Sequence, residues 1–211
     1  MRNNSLVLIF IFIFIFKGNF FNPGIAQEQF NFDVTEIEIN EKGNKYKGIK
    51  RGTISTNDGV YIDADTFEFD KITNILIAYG NVILKDKRND LIITSEDITY
   101  LRNEERIFTK TKSKAVSKDI YIDADTLEYD KKLNTLNAKG NVQVNEKVKK
   151  LIINSNEITY YKNSEILISK YRSEAIGEGL NIKADEFEYN YILNLVNANK
   201  NVKIVDKVND I

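Results

Sequence analysis

One stretch of this chain occurs three times. The run YIDADTFEFDKITNILIAYGNV at 61–82 returns as YIDADTLEYDKKLNTLNAKGNV at 121–142 and as NIKADEFEYNYILNLVNANKNV at 181–202, each time after 60 residues and without a gap. Between them, LIITSEDITYLRNEERI at 91–107 matches LIINSNEITYYKNSEIL at 151–167. Self-similarity at a fixed period means stacked supersecondary units. A weaker period of about 30 lies inside it. Ile62, Ala64, Phe67 and Phe69 fall on Ile93, Ser95, Ile98 and Tyr100, while Leu76, Ala78, Gly80, Val82 and Leu84 fall on Ile107, Thr109, Thr111, Ser113 and Ala115. Residues 34–54 read as a degenerate copy in which Ile37-Glu38-Ile39 stands for Phe67-Glu68-Phe69. The chain is therefore about six units of one design.

Each unit reads as β. Leu76, Ala78, Gly80, Val82 and Leu84 share one parity, as do Leu136, Ala138, Gly140, Val142 and Val144, so each set lines one face of a strand. Ile62 and Ala64 share a parity that Phe67 and Phe69 do not, which demands a bend or bulge near Asp65-Thr66. The same slip recurs at 95–98, 124–127, 155–158 and 184–187. A slip that recurs is a corner, where a strand passes from one sheet to another. Polar turns are expected at 70–74, 85–90 and 130–134. Helical spacing is absent and β-branched and aromatic residues abound. The expected fold is all-β: an elongated jellyroll of two folded-over antiparallel sheets, on the order of 50–60 Å long at the usual strand spacing.

Composition narrows the chemistry. There is no histidine and no cysteine, which removes imidazole bases, thiolate nucleophiles, disulfides and nearly every transition-metal site. Thirty basic residues against 31 acidic ones leave no excess for phosphate neutralisation, so nucleic acid is not an expected partner. Arg2 precedes an apolar run at 6–16, too short to span a bilayer and suited to an export signal. Gly24 and Ala26 supply the small residues of a cleavage site, so residues 1–26 are expected to be a signal peptide and 27–211 the mature domain. An uncleaved anchor is the alternative.

Several residue groups admit two readings. Asp63 with Asp65 and Asp123 with Asp125 could ligate a cation or act as a hydrolytic carboxylate pair, yet Lys183 stands in the third copy, and a solvated outer face near a corner is the plainer account. Gly80-Asn81 and Gly140-Asn141 read as a bulge or a close approach of the opposing sheet. Lys110, Lys112, Lys114 and Lys118 are either solvated or sit near the mouth of a trough, where they would meet lipid phosphates. The alternating segment 202–208 has no obvious cap and could pair with another edge strand.

The units IDADTFEFD…LIAYGNVIL, IDADTLEYD…LNAKGNVQV and SEDITYLRNEERIFTKTKSKAV resemble the repeat of the OstA-like proteins of lipopolysaccharide transport, namely periplasmic LptA and the N-terminal periplasmic domain of LptD. The resemblance covers roughly residues 30–211. It implies a periplasmic jellyroll that holds lipid A acyl chains in an apolar trough, docks edge to edge with other Lpt jellyrolls, and needs no catalytic residue, metal or cofactor. The expected lipid-binding positions are Ile62, Phe67, Phe69, Leu76, Leu127, Tyr129, Leu136, Phe187 and Tyr189. The third copy stops at Ile211, just past its second strand, which is expected of an LptD fragment ahead of an outer-membrane barrel, although LptD domains often carry cysteines. Periodicity alone fits equally a structural or adhesive exported β-solenoid with a closed core. The discriminating expectation is an apolar cleft open along one side.

Overall fold

The computed structural model describes residues 30–206; the expected export signal, its cleavage site and the end of the 202–208 segment lie outside them. Eighteen strands form a single hydrogen-bonded sheet: β1 (Phe30–Val34), β2 (Ile37–Asn40), β3 (Lys45–Gly48), β4 (Gly52–Thr56), β5 (Val60–Ala64), β6 (Thr66–Asp70), β7 (Ile75–Asp86), β8 (Leu91–Leu101), β9 (Arg106–Phe108), β10 (Ser113–Ser117), β11 (Ile120–Ala124), β12 (Thr126–Asp130), β13 (Thr135–Glu146), β14 (Leu151–Tyr161), β15 (Ile166–Ile176), β16 (Leu180–Asn190), β17 (Leu195–Asn199) and β18 (Lys203–Asp206). They make twelve consecutive antiparallel passes, the short strands pairing up as the two halves of one bent pass. Thus β5 and β6 both lie against β7, while β11 and β12 both lie against β13.

Every pass bends at its middle, so the meander folds into two facing half-sheets. Half-sheet A holds β2, β3, β6, β9, β12, β17 and one half of each long strand. Half-sheet B holds β1, β4, β5, β10, β11, β18 and the other halves. At the bend two residues of one pass face one of the next. The register slips between Tyr79 and Val82 opposite Asp97 and Ser95, between Lys139 and Val142 opposite Glu157 and Ser155, and between Lys170 and Ser173 opposite Glu186 and Ala184. These bulges re-aim each strand, and they are the recurrent slips visible in the sequence.

The corners repeat a specific clasp. Gly80 and Asn81 both have positive φ, as do Gly140 and Asn141, and Lys200 and Asn201. The amide of Asn81 donates to Asp65 at 2.8 Å, that of Asn141 to Asp125 at 2.8 Å, and that of Asn201 to Asp185 at 2.6 Å. This explains why "Ala-Asp" and "Gly-Asn-Val" recur together: they are the two sides of one corner. A Cβ on Gly80 would lie 2.6 Å from the Asp65 carboxylate, so the glycine marks a close approach. The intervening corners use hydroxyls. Thr109 accepts the backbone N–H of Leu127 at 2.8 Å and Ser169 that of Phe187 at 3.2 Å, replacing ladder bonds broken at the bend.

The core lies between the half-sheets and runs the length of the body. Ile62, Ala64, Phe67, Leu76, Ala78, Val82 and Leu84 are all buried in it, with their counterparts 60 residues on.

Candidate functional site

The expected lipid-binding positions converge. Ile62, Phe67, Leu76, Leu127, Tyr129, Leu136, Phe187 and Tyr189 are fully buried in the common core, and Phe69 is half-buried against it. In the ladders Phe67 sits beside Ala78 and Phe69 beside Leu76, and Leu127 beside Ala138 and Tyr129 beside Leu136, so each bulky residue has a small or aliphatic neighbour. Four tyrosines, Tyr100, Tyr129, Tyr160 and Tyr189, recur about every 30 residues and are among the largest fully buried side chains. Burial pushes the Tyr100 and Tyr189 phenols up to about 12 and raises that of Tyr160. The centre of the interior is therefore filled by the protein's own side chains.

Two rows of turns face each other opposite the bend line and form a mouth. Among the described residues no strand pairing crosses it; side chains do, and most are charged. Asp58, in the turn between β4 and β5, meets Arg102 at 3.2 Å and also pairs with Lys131, and both cations pair with Glu105, at 2.5 and 3.0 Å. The side chains of Arg102, Lys131 and Asp58 are 3, 6 and 11% exposed. Burial pushes the Asp58 carboxyl up, but hydrogen bonds from Lys131 and Thr56 and the charges of Lys131 and Arg102 outweigh it and hold the group at about 2. Further along, Lys118 pairs with Glu165, Tyr129 donates to Asp86 at 3.1 Å, and Lys149 donates to the Tyr191 carbonyl. Lys162 donates to the Asp90 carbonyl at 3.3 Å and to Ser117; burial lowers its pKa to about 8.

The cleft open along one side, expected of a trough, is thus absent along this stretch: the mouth is shut by a seam. Nothing in the sequence announces it. Its contacts join residues far apart in the chain, such as 58 with 102 and 131, or 118 with 165. That pairing depends on how the half-sheets are offset. Turn 57–59, between the second and third passes, sits across from turns that follow the fifth and seventh.

The offset leaves each end half covered. At the amino-terminal end half-sheet A overhangs: Ile37 and Ile39 take inward positions opposite Gly48 and Tyr46, yet are 38 and 56% exposed. Phe32, Tyr46 and Phe69 cluster beside them, with ring centroids 5.7 to 5.9 Å apart. A cavity of about 590 Å³ at this end lies against the outer side of half-sheet A, where Lys45, Lys47, Glu68, Asp70, Ile75 and Ile77 line it. At the other end half-sheet B overhangs, with inward-facing Ile204, paired with Ile182, 58% exposed.

The remaining candidates resolve. Asp63 and Asp65 both bind Arg51, Asp65 at 2.6 Å, and Asp123 binds Lys114 at 3.1 Å, so these carboxylates belong to the outer face near corners. The hydrogen bond from Asn81, followed by that from Arg51, holds the Asp65 carboxyl below its ordinary value. Of the two readings of the lysine stretch, solvation holds for Lys110, Lys112 and Lys114, all exposed. Lys110 and Lys112 lie where the sixth pass bends between β9 and β10, on the side away from the mouth, because the register break at 109–112 is itself a corner. Lys114 points outward to Asp123, and of the four only Lys118 reaches the mouth.

Comparison with known proteins gives one family match. Residues 61–166 match the family described as LptA/(LptD N-terminal domain) LPS transport protein. No curated protein sequence matches the chain. Among solved structures, LptH, the LptA homologous periplasmic component of the conserved lipopolysaccharide transport device from Pseudomonas aeruginosa, matches with 15% identity over 70% of this chain and 94% of that chain, at a TM-score of 0.31.

Proposed function

The chain belongs to the LptA/LptD N-terminal family of lipopolysaccharide transport proteins, and on that premise we propose that it carries the acyl chains of lipid A in the apolar interior between its half-sheets and hands them to a like domain docked at its end. The observation that carries this reading is the pair of half-covered ends. Ile37 and Ile39 at one, and Ile204 at the other, face inward yet are exposed. An overhang of half-sheet A at one end and of half-sheet B at the other are complementary shapes, so a neighbour added head to tail would cover both. The outer edges of the first and last passes carry unpaired backbone groups among the described residues, which strand addition would satisfy. Residues 1–26 would direct export, giving a periplasmic location, with outer-membrane association if the chain is part of an LptD.

A second reading, a structural β-solenoid, is favoured by one observation, the closed packing at the centre. A photoreactive benzophenone residue at Tyr46 or Phe69 separates the two in living cells. Lipopolysaccharide adducts at these inward positions, and none at the outward neighbours Lys47 and Glu68, support the carrier. A folded, exported protein without adducts at either inward position supports the solid solenoid.

A further inference from the structure

We propose that the mouth is a latched side entrance: the corner line acts as hinge, the ionic seam as latch, and acyl chains enter sideways by parting the half-sheets rather than only threading from an end. The proposal rests on the carrier reading above. Its starting point is volume. The interior behind the seam is filled by Tyr100, Tyr129, Tyr160 and Tyr189, and close-packed interiors admit no extra chain without moving apart.

The two sides of the body differ in how they resist that movement. On the corner side every pass runs through covalently, and the Asp–Asn clasps pin neighbouring passes together. On the mouth side no backbone-to-backbone hydrogen bond crosses among the described residues. What crosses is side chains: Asp58 with Arg102 and Lys131, Lys118 with Glu165, Tyr129 with Asp86, Lys149 with the Tyr191 carbonyl, and Lys162 with Ser117 and the Asp90 carbonyl. Ion pairs buried in the seam regain hydration when they separate, so their net resistance to opening is small compared with their attraction when closed. Parting the half-sheets uncovers apolar surface, and an entering lipid covers that surface again with its own chains. A closed state therefore dominates without ligand and an open one with it, as in any equilibrium whose minor state binds better.

The chain contains no cysteine, so a thiol pair placed across the mouth is unique. In Lys118→Cys/Glu165→Cys, a short cleavable bis-methanethiosulfonate turns the latch into a lock, and reduction leaves it undone. Binding of fluorescent lipopolysaccharide is measured for the full chain in both states, with circular dichroism as the fold control. The locked form is expected to bind at least tenfold more weakly than the reduced form, and reduction to restore binding. Glu165→Gln, which undoes the same ion pair without thiols, is expected to bind several-fold more tightly than the wild type. Equal binding by locked and reduced forms overturns the side entrance while leaving the carrier reading intact. Absence of binding by the wild type overturns both.

Discussion

Gly140 is the most closely approached glycine among the described residues. Its φ is +74°, and a Cβ there would overlap the Asp125 carboxylate that Asn141 holds. Gly140→Ala is therefore expected to destabilise by about 2 kcal/mol, combining left-handed strain with displacement of Asp125; urea unfolding measures it. Lys200 takes the equivalent place in the third copy with the Asn201–Asp185 bond retained, so the substitution should cost stability and leave the fold. Lys162 is the opposite case, a residue whose removal should help. Its pKa of about 8 lies below the ordinary 10.5, so between those values the unfolded chain binds the extra proton and stability rises with pH. Below about pH 8 the buried amine is charged and its desolvation is a constant penalty. Lys162→Met should raise stability at pH 7 by on the order of 1 kcal/mol, after discounting for partial exposure, and flatten the rise between about pH 8 and 10. Melting curves across that range check both effects.

Turns carry the energetics that the strands do not. Asp58→Asn leaves the buried Arg102 and Lys131 with Glu105 as their remaining seam carboxylate, and is expected to cost about 3 kcal/mol at neutral pH. The Asp58 carboxyl sits at about 2 against an ordinary 3.8, so its contribution is complete above about pH 4 and is lost as pH falls toward 2. Acid unfolding of the variant should lack that component, which calorimetry between about pH 2 and 5 tests. Strands, corners and turns were all legible in the sequence, because each is local: the parity slip at Asp65-Thr66 is a corner, and Asp70 caps the turn that follows it by accepting from Ile72 and Thr73. The inward set from Ile62 to Tyr189 was legible for the same reason. The seam was not. Arg102 and Lys131 read as ordinary turn residues until the offset of the half-sheets brings Asp58 between them. For Lys110 the solvated reading holds and the mouth alternative does not, and the sequence alone leaves both open, since a charge run says nothing about which part of a bent strand it occupies.

For the whole body, the bare ends decide whether it stands alone. Ile39→Glu and Ile204→Glu place charges on inward positions that are already more than half exposed. Each is expected to leave the melting temperature unchanged within about 1–2 °C while abolishing concentration-dependent self-association in sedimentation velocity, because surface substitutions rarely move stability by more than about 0.5 kcal/mol. Association that persists in both variants would place the joint elsewhere. A plain meander with two alternating kinds of corner also has an arithmetic of its own. Removing one pass would reverse the chain and exchange its two lips. Removing two would set a hydroxyl corner where a glycine–asparagine clasp is due. Only a four-pass deletion or duplication, 60 residues in this chain, restores both, and at the usual strand spacing it changes the length by about 19 Å. The body is a ruler with one graduation, and any span it bridges can be matched only in whole steps.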